Sequence, residues 1–338
     1  MKTTLLIISL GFCSFLLTYI IRYFAFRKKI VSIPNERSLH VVPTPLGGGL
    51  AIVITWYIGI SILFFSGLIE KGLYFALLSG VLLTIVSFID DLVGLKPFIR
   101  LCFHFATAIS AFIFLGGLRQ IITPGIDLNY IFLIYPLAVV GMVWFINLFN
   151  FMDGVDGFAS LEAVTICLIM YFLSGSIINI LLVACISGFI FWNWPKAKIF
   201  MGDVGSTQLG FILVVLGIYF HNNYQFSILN WIMLSSPFWF DATFTLFRRW
   251  RNGEKLSEAH RKHAYQRIVQ AGFSHLQVDL CLIIINVFIV VMILIYREIK
   301  FLQIPLFLIT LLLLYLITKQ VDRRVPFGKG KGDRGIME

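Results

Sequence analysis

Residues 130–157 have the sequence YIFLIYPLAVVGMVWFINLFNFMDGVDG, in which a long apolar run ends abruptly in a polar one. The apolar part, residues 130–146, approaches the ~20 residues that a helix needs to cross the hydrocarbon core of a bilayer. The polar part, residues 147–157, contains two asparagines, two aspartates and two glycines. Carboxylates at the end of a membrane span are costly and usually serve a function. This stretch therefore predicts a membrane protein with functional groups at the ends of its helices.

The rest of the chain has the same character. Of its 338 residues, 59% are hydrophobic and 13% are charged, whereas an ordinary soluble domain is roughly 25% charged. This composition excludes a water-soluble globular protein, a disordered chain and a nucleic-acid-binding domain. The apolar runs are continuous, while membrane β-strands would alternate over ~10 residues. We therefore predict an all-α, polytopic membrane protein of about eleven transmembrane helices. They are expected at Leu5–Phe24, Leu50–Gly67, Leu73–Ile89, Phe98–Leu118, Tyr130–Ile146, Phe158–Leu173, Ile177–Trp194, Val204–Phe220, Ile228–Phe247, Val278–Tyr296 and Phe301–Ile317.

The distribution of basic residues predicts the orientation. With a periplasmic N-terminus and a cytoplasmic C-terminus, all but five of the 27 Lys and Arg residues lie on the cytoplasmic side, as the positive-inside rule requires. The exceptions are Lys2, Lys71, Arg119, Arg297 and Lys300. We predict one membrane-embedded domain over residues 1–320 and a basic cytoplasmic tail over residues 321–338. The tail is expected to be a solvated end near anionic lipid, so that truncation after Thr318 costs little activity.

Five polar stretches interrupt the apolar runs, and span parity puts all five on the cytoplasmic side. They are residues 34–49, Asp90-Asp91, residues 147–157, residues 193–206 and residues 260–267. Polar residues with a purely structural role would fall on both sides of the membrane. The convergence therefore predicts a functional site at the cytoplasmic face.

The residue types in these stretches suit phosphate chemistry. Neighbouring carboxylates at the edge of hydrocarbon repel one another unless a cation lies between them. The aspartates concerned are Asp90, Asp91, Asp153, Asp156 and Asp203. Carboxylate and amide oxygens favour a hard ion, Mg²⁺ or Mn²⁺, whereas zinc is disfavoured because no cysteine is near and the histidines lie in a separate basic loop. A multiply negative substrate would be held by the basic residues Arg37, Lys96, Arg100, Lys198, His260, Arg261, His263 and Arg267. Together these features indicate phosphoryl or pyrophosphoryl transfer.

In order and content, the polar stretches between residues 37 and 267 resemble those of the polyprenyl-phosphate N-acetylhexosamine-1-phosphate transferases, which are integral membrane enzymes. The matching segments are Arg37 to Gly49, Asp90 to Leu95, Asn147 to Gly157, Phe200 to Ser206 and His260 to Arg267. The segment HRKHAYQR is most similar to the branch that initiates bacterial O-antigen and polysaccharide synthesis. The phospho-MurNAc-pentapeptide transferases are more distant relatives.

The resemblance implies a role for each matching residue. Asp90 and Asp91 match the pair proposed to hold or deprotonate the lipid phosphate, and Asp156 and Asp203 match the Mg²⁺ ligands. Substrate-binding roles are expected for Arg37, Asn147, Asn150, Asp153, Lys198, His260, His263 and Arg267. The implied substrates are a UDP-N-acetylhexosamine and undecaprenyl phosphate at the bacterial inner membrane, with UMP as the second product. Whether the protein forms a homodimer is left open, and no nucleic-acid partner is expected.

Two other functions share part of this pattern. A transporter or flippase would place charges or broken helices at the midplane and show an internal repeat, whereas here the charges gather at one surface. A membrane prenyltransferase also uses Mg²⁺ and aspartate-rich helix ends, but it needs two DxxxD-like clusters. The pattern here is DD, DGVD and GDVGS with a basic histidine loop, which favours the sugar-phosphate transferase.

Overall fold

A computed structural model describes residues 2–34, 42–123, 126–128, 130–258 and 260–328. Helices dominate it, and the strands are two short antiparallel hairpins. The hairpins pair β1 (Val31–Ser32) with β2 (Thr44–Pro45) and β3 (Ile121–Thr123) with β4 (Ile126–Leu128). The helices are α1 (Lys2–Arg27), α2 (Gly49–Phe65), α3 (Lys71–Leu78), α4 (Gly80–Val93), α5 (Pro97–Phe114), α6 (Ile131–Phe151), α7 (Phe158–Ser174), α8 (Ile177–Asn193), α9 (Asp203–Asn222), α10 (Ile228–Leu234), α11 (Ser236–Arg251), α12 (Ala264–Gln270), α13 (His275–Glu298) and α14 (Gln303–Arg324), the last preceded by the 3₁₀ turn Lys300–Leu302.

The predicted all-α, polytopic class is confirmed. Seven helical segments among the described residues are long and apolar enough to cross a membrane, and three shorter ones, α2, α7 and α8, are also apolar. Each of the eleven predicted runs is helical, although the third breaks at Ser79 between α3 and α4 and the ninth at Ser235 between α10 and α11. The orientation of the termini and the domain boundary at residue 320 stay predictions. Helix α14 continues past that boundary to Arg324.

Helix α9 forms the core of the bundle. In its most apolar 18-residue stretch 94% of the residues are buried, whereas only 17% are buried in the corresponding stretch of α1. Helices α2, α4, α6 and α7 surround it. Small residues allow this close packing, because a Cβ at Gly210 would lie 2.9 Å from Phe149 and one at Gly217 would lie 2.7 Å from Trp231. Small residues at helix contacts are a common feature of membrane bundles.

The tightest of these contacts fixes the start of α9. A Cβ built on Gly49 would lie 2.4 Å from the Cα of Gly205, so the backbones of α2 and α9 touch. Backbone hydrogen bonds from Gly48 to Phe200 (2.9 Å) and from Gly49 to Met201 (2.9 Å) hold the segment before α9 in the same place. The first residue of α9, Asp203, is therefore fixed relative to α2.

Gly49→Ala tests this contact. The added methyl group meets backbone rather than a flexible side chain, so α2 and α9 must separate, at a cost of about 1–3 kcal/mol. We expect the purified variant in detergent to have a lower melting temperature than the parent, as measured by circular dichroism. Gly141→Ala is the matched control, since in the described structure a Cβ there meets no atom of another element within 4 Å. Equal melting temperatures for Gly49→Ala and the parent would contradict a close backbone contact between α2 and α9.

Candidate active site

The two adjacent aspartates at the end of α4 face different neighbours. The carboxylate of Asp90 accepts hydrogen bonds from the backbone N–H of Leu95 (2.6 Å) and from Nη1 of Arg100 (2.7 Å). The chain turns back after α4 because Gly94 adopts a left-handed conformation (φ 68°), which brings Arg100 in the first turns of α5 against Asp90. Asp91 instead accepts from the backbone N–H of Asp203 (3.4 Å). The pair therefore connects α4 to both α5 and α9.

Asp203 lies where the helices meet. Its Oδ1 accepts from the amide of Asn150 at the end of α6 (2.9 Å), and its Oδ2 is 3.5 Å from Nη1 of Arg100. The Asn150 amide also donates to Ser206 Oγ (2.9 Å), which ties α6 to the first turn of α9. The positive end of the α9 dipole stabilises the Asp203 carboxylate. Since its side chain is 34% exposed, this carboxylate remains accessible to a ligand.

The loop between α6 and α7 supplies two more carboxylates. Asp156 Oδ2 accepts from the backbone N–H of Ala197 (3.0 Å) and lies 3.1 Å from Nδ1 of His275 at the start of α13. Asp153 lies deeper. Burial, together with the negative charges of Asp203, Asp156 and Asp91, raises the pKa of Asp153 to about 7. Burial is the largest cause, and the three neighbouring carboxylates act in the same direction.

Two adjoining cavities open onto these groups. The first, of about 290 Å³, is bounded by the 153–156 loop, residues 200–203 and His275. The second, of about 490 Å³, lies between α4, α5, α6 and the loop after α11. Asn150, Asp203 and Gln266 line both cavities. The structure therefore places Asp203 where a ligand in the first cavity would meet one in the second.

The sequence-predicted residues are distributed unevenly between these cavities. Asp153 and Asp156 line the first, and Asp90, Asn147, His260 and His263 line the second. Asp91 lines a separate, mostly apolar cavity of about 200 Å³ between α1, α2 and α4. Arg37 lies outside the described residues.

Two predicted substrate contacts lie elsewhere. Within the described residues, neither Lys198 nor Arg267 lines the two cavities around Asp203. The ammonium of Lys198 lies 5.5 Å from the ring centroid of Trp192. The Arg267 side chain is 3% exposed and pairs with Asp322 on α14 (2.6 Å). These contacts favour an interfacial role for Lys198 and a structural role for Arg267.

Asp156 and Asp203, the predicted metal ligands, carry the oxygen donors that Mg²⁺ prefers. Asp156 and Asp203 both line the first cavity, next to Asp153 and Asn150. In the described part of the chain no three His, Cys, Asp or Glu side chains approach closely enough to form a complete metal site by themselves. Mg²⁺ usually takes only one or two carboxylates and completes its coordination with water and substrate phosphates. The residues therefore fit an ion that arrives with a phosphorylated ligand.

Histidine His260 lines the second cavity in its neutral form. Burial, followed by the positive charges of His263 and Arg249, lowers the pKa of His260 to about 3. A neutral imidazole has one donor and one acceptor nitrogen. It can therefore hydrogen-bond hydroxyl or amide groups of a ligand without adding charge.

Sequence reasoning missed two site residues. His275 contacts Asp156, and the 119 positions that separate them give no local signal in the sequence. Asp241 and Arg248 both lie on α11, but Arg248 pairs with Asp322 on α14 (3.0 Å). Asp241 accepts from the backbone N–H groups of Ala264 (2.9 Å) and Tyr265 (3.3 Å) at the start of α12. It thereby fixes the histidine segment.

Asp241→Ala tests this capping role. Loss of the acceptor leaves two N–H groups of α12 unpaired, which costs about 1 kcal/mol. Hydrogen–deuterium exchange of peptides covering residues 263–270 should therefore be roughly fivefold faster than in the parent. Glu70→Ala is the matched control, because Glu70 precedes α3 and makes no capping hydrogen bond among the described residues. Unchanged exchange in Asp241→Ala would show that α12 does not depend on this carboxylate.

Comparison with known proteins adds independent information. Residues 73–221 match the model of Glycosyl transferase family 4. The chain is 30% identical to a "Probable undecaprenyl-phosphate N-acetylglucosaminyl 1-phosphate transferase" of Bacillus subtilis (strain 168), over 77% of this chain and 75% of that protein. It is 27% identical to a "Decaprenyl-phosphate N-acetylglucosaminephosphotransferase" of Mycobacterium leprae, over 80% of this chain and 78% of the relative. It is 29% identical to an "Undecaprenyl-phosphate alpha-N-acetylglucosaminyl 1-phosphate transferase" of Thermotoga maritima, over 75% and 79%, respectively.

Proposed function

Because the chain belongs to glycosyl transferase family 4, we propose that it transfers an N-acetylhexosamine 1-phosphate from a UDP-sugar to undecaprenyl phosphate. The products are a polyprenyl-diphosphate sugar and UMP. The observation that carries this proposal is the position of Asp203, which contacts Asn150 and Arg100 where the two cavities adjoin. Two phosphorylated substrates must meet at one point for such a transfer, and this is the point that both cavities share.

The lining of each cavity favours one substrate. The first cavity contains an aromatic ring, Phe200, and the amide of Asn193 beside its carboxylates, which suits a nucleoside carrying metal-bound phosphates. The second contains Arg100, His260 and His263, which suits the sugar and the incoming phosphate. We assign the UDP part of the donor to the first cavity and the acceptor phosphate to the second.

A separate apolar groove lies along α6, the helix whose last turns line the second cavity. It has a volume of about 360 Å³ and is lined almost wholly by apolar side chains of α6, α9, α10 and α11. Its lining includes Leu148, the residue after Asn147, which lines the second cavity. We assign the prenyl chain to this groove and its phosphate to the second cavity.

The chemical step is a direct displacement. An oxygen of the acceptor phosphate attacks the β-phosphorus of the donor, and the bond from that phosphorus to the oxygen of the α-phosphate breaks, releasing UMP. Arg100, held by Asp90, is placed to orient the acceptor phosphate. No strong base is required, because the second pKa of a phosphate monoester is ~6. Mg²⁺, held by Asp156 and Asp203 with the donor phosphates, would supply charge neutralisation.

The same assignment defines the location. UDP-sugars are cytosolic, and the basic connections lie on the side of the polar stretches, so we place the active site at the cytoplasmic face of the inner membrane. The reaction would then form the first lipid-linked sugar of an O-antigen, polysaccharide or other cell-envelope glycan.

The test uses the purified full chain in detergent with undecaprenyl phosphate, Mg²⁺ and a panel of radiolabelled UDP-N-acetylhexosamines. We expect label to enter the organic phase together with stoichiometric UMP. A transporter would form neither product. A prenyltransferase, which acts on a prenyl diphosphate, would leave the label in the aqueous phase even if diphosphate were released when a prenyl diphosphate is added. Either of these results, without formation of UMP from any UDP-sugar, would overturn the proposal.

Removing either proposed metal-binding carboxylate should abolish most activity. Asp203→Asn and Asp156→Asn are expected to lower kcat at least ~100-fold, because a lost electrostatic contact to the transition state costs that much. The melting temperature should stay within a few degrees of the parent, since each change preserves side-chain size. Glu298→Gln, at the exposed end of α13, is the matched control. Near-parental kcat in both site variants would contradict the assignment.

Direct displacement also predicts how isotope exchange depends on lipid. Labelled UMP should enter UDP-N-acetylhexosamine only when undecaprenyl phosphate is present, because the sugar phosphate passes straight between the substrates. The reaction breaks one diphosphate bond and forms another, so it should be readily reversible. Rapid exchange in lipid-free enzyme would instead show a covalent enzyme intermediate.

A further inference from the structure

The end of the described chain packs on the cytoplasmic segment that carries the histidines. Asp322, near the end of α14, accepts from Nη1 of Arg248 (3.0 Å) and from Nη2 of Arg267 (2.6 Å). Arg267 also donates to the backbone carbonyl of Val325. The α14 end is therefore joined to α11 and to α12 through two guanidinium groups.

Phe327 continues this attachment. The guanidinium carbon of Arg248 lies 3.8 Å from its ring centroid, that of Arg267 lies 5.4 Å away, and the ammonium of Lys262 lies 5.7 Å away. Each distance is within the ~6 Å range of a cation–π interaction. Three cations from two segments therefore surround one aromatic ring.

A chain of ion pairs extends from this ring to the second cavity. Lys262 Nζ donates to Glu254 Oε1 (2.8 Å), and Glu254 Oε2 accepts from Nε of Arg249 (3.1 Å). Arg249 is 2% exposed and its Nη2 donates to the backbone carbonyls of Lys255 (2.6 Å) and Glu258 (3.1 Å). These bonds fold residues 254–258 around a buried guanidinium, and residues 256–258 line the second cavity.

We propose that the segment Asp322–Phe327 is a positioning element that holds residues 254–258 and 260–263 against the second cavity and thereby sets the affinity for the sugar of the donor, which that cavity receives. Arg267 and Phe327 act through this network and do not contact substrate. The proposal rests on the proposed function, which identifies the ligand of that cavity. It replaces two sequence-based expectations, namely a substrate contact for Arg267 and a dispensable chain after Thr318.

A double-mutant cycle separates positioning from substrate contact. Asp322→Asn and Arg267→Gln should each raise the KM for the UDP-sugar about fivefold, a size typical of a lost structural contact, while changing kcat less than about twofold. The double variant should be no worse than the more severe single one, because both substitutions break the ion pair between Asp322 and Arg267. Arg323→Gln is the matched control, since this exposed neighbour bonds only to Gln320 among the described residues. The proposal would be overturned if kcat fell in Arg267→Gln but not in Asp322→Asn. It would also be overturned if the KM increases of the two single variants multiplied in the double variant.

Conservative replacement tests the aromatic contact. Phe327→Ala should raise the KM for the UDP-sugar as Asp322→Asn does. Phe327→Trp should keep the parental KM, because tryptophan binds cations most strongly among the aromatic side chains. Equal KM values for Phe327→Ala and the parent would show that the ring has no positioning role.

Hydrogen–deuterium exchange of residues 254–263 tests the proposal without an activity assay. Exchange should be faster in Asp322→Asn and in Phe327→Ala than in the parent, and unchanged in Arg323→Gln. Lost activity with unchanged exchange would overturn the positioning role while leaving the transferase function intact. If even the parent transfers no sugar phosphate, the proposed function fails, and the exchange result still decides whether the segment holds the loop.

Discussion

The approach of carboxylates from three distant parts of the chain is the constraint on which the rest of the structure depends. Asp91 from α4, Asp156 from the loop after α6 and Asp203 from α9 come close enough to Asp153, in the same loop, to help raise its pKa. Arg100 neutralises part of this charge through Asp90 and Asp203. The remaining negative charge, in a bundle that otherwise exposes mainly apolar surface, favours a divalent cation and the phosphates that accompany it.

The packing of α9 makes this arrangement rigid. Its first residue carries the central carboxylate, and the contact between Gly49 and Gly205 leaves no room for the helix end to shift. Hydrogen bonds from Asn150 and to Asp91 then orient the side chain and backbone of Asp203 from two sides. A catalytic group that must meet two substrates benefits from such preorganisation, because the energetic cost of ordering is met during folding.

The sequence predicted the helices well because a membrane-length apolar run is a local property. It also predicted that the aspartates and histidines would gather, since span parity is counted along the chain. It could not predict partners that depend on side-chain direction across long separations. The contacts of Asp156 with His275 and of Arg267 with Asp322 join residues 119 and 55 positions apart. Lys198 illustrates the same limit, because a basic residue beside a motif can lie over Trp192 instead of facing the cavity.

The most direct measurement of the central claim is the position of a divalent ion in crystals of the full chain grown with UMP and Mn²⁺, located by anomalous scattering. The account predicts one strong peak in the first cavity, bounded by the carboxylates of Asp156 and Asp203, with the UMP phosphate as a further ligand. A peak remote from Asp203, or bound UMP whose phosphate lies away from that carboxylate, would contradict it.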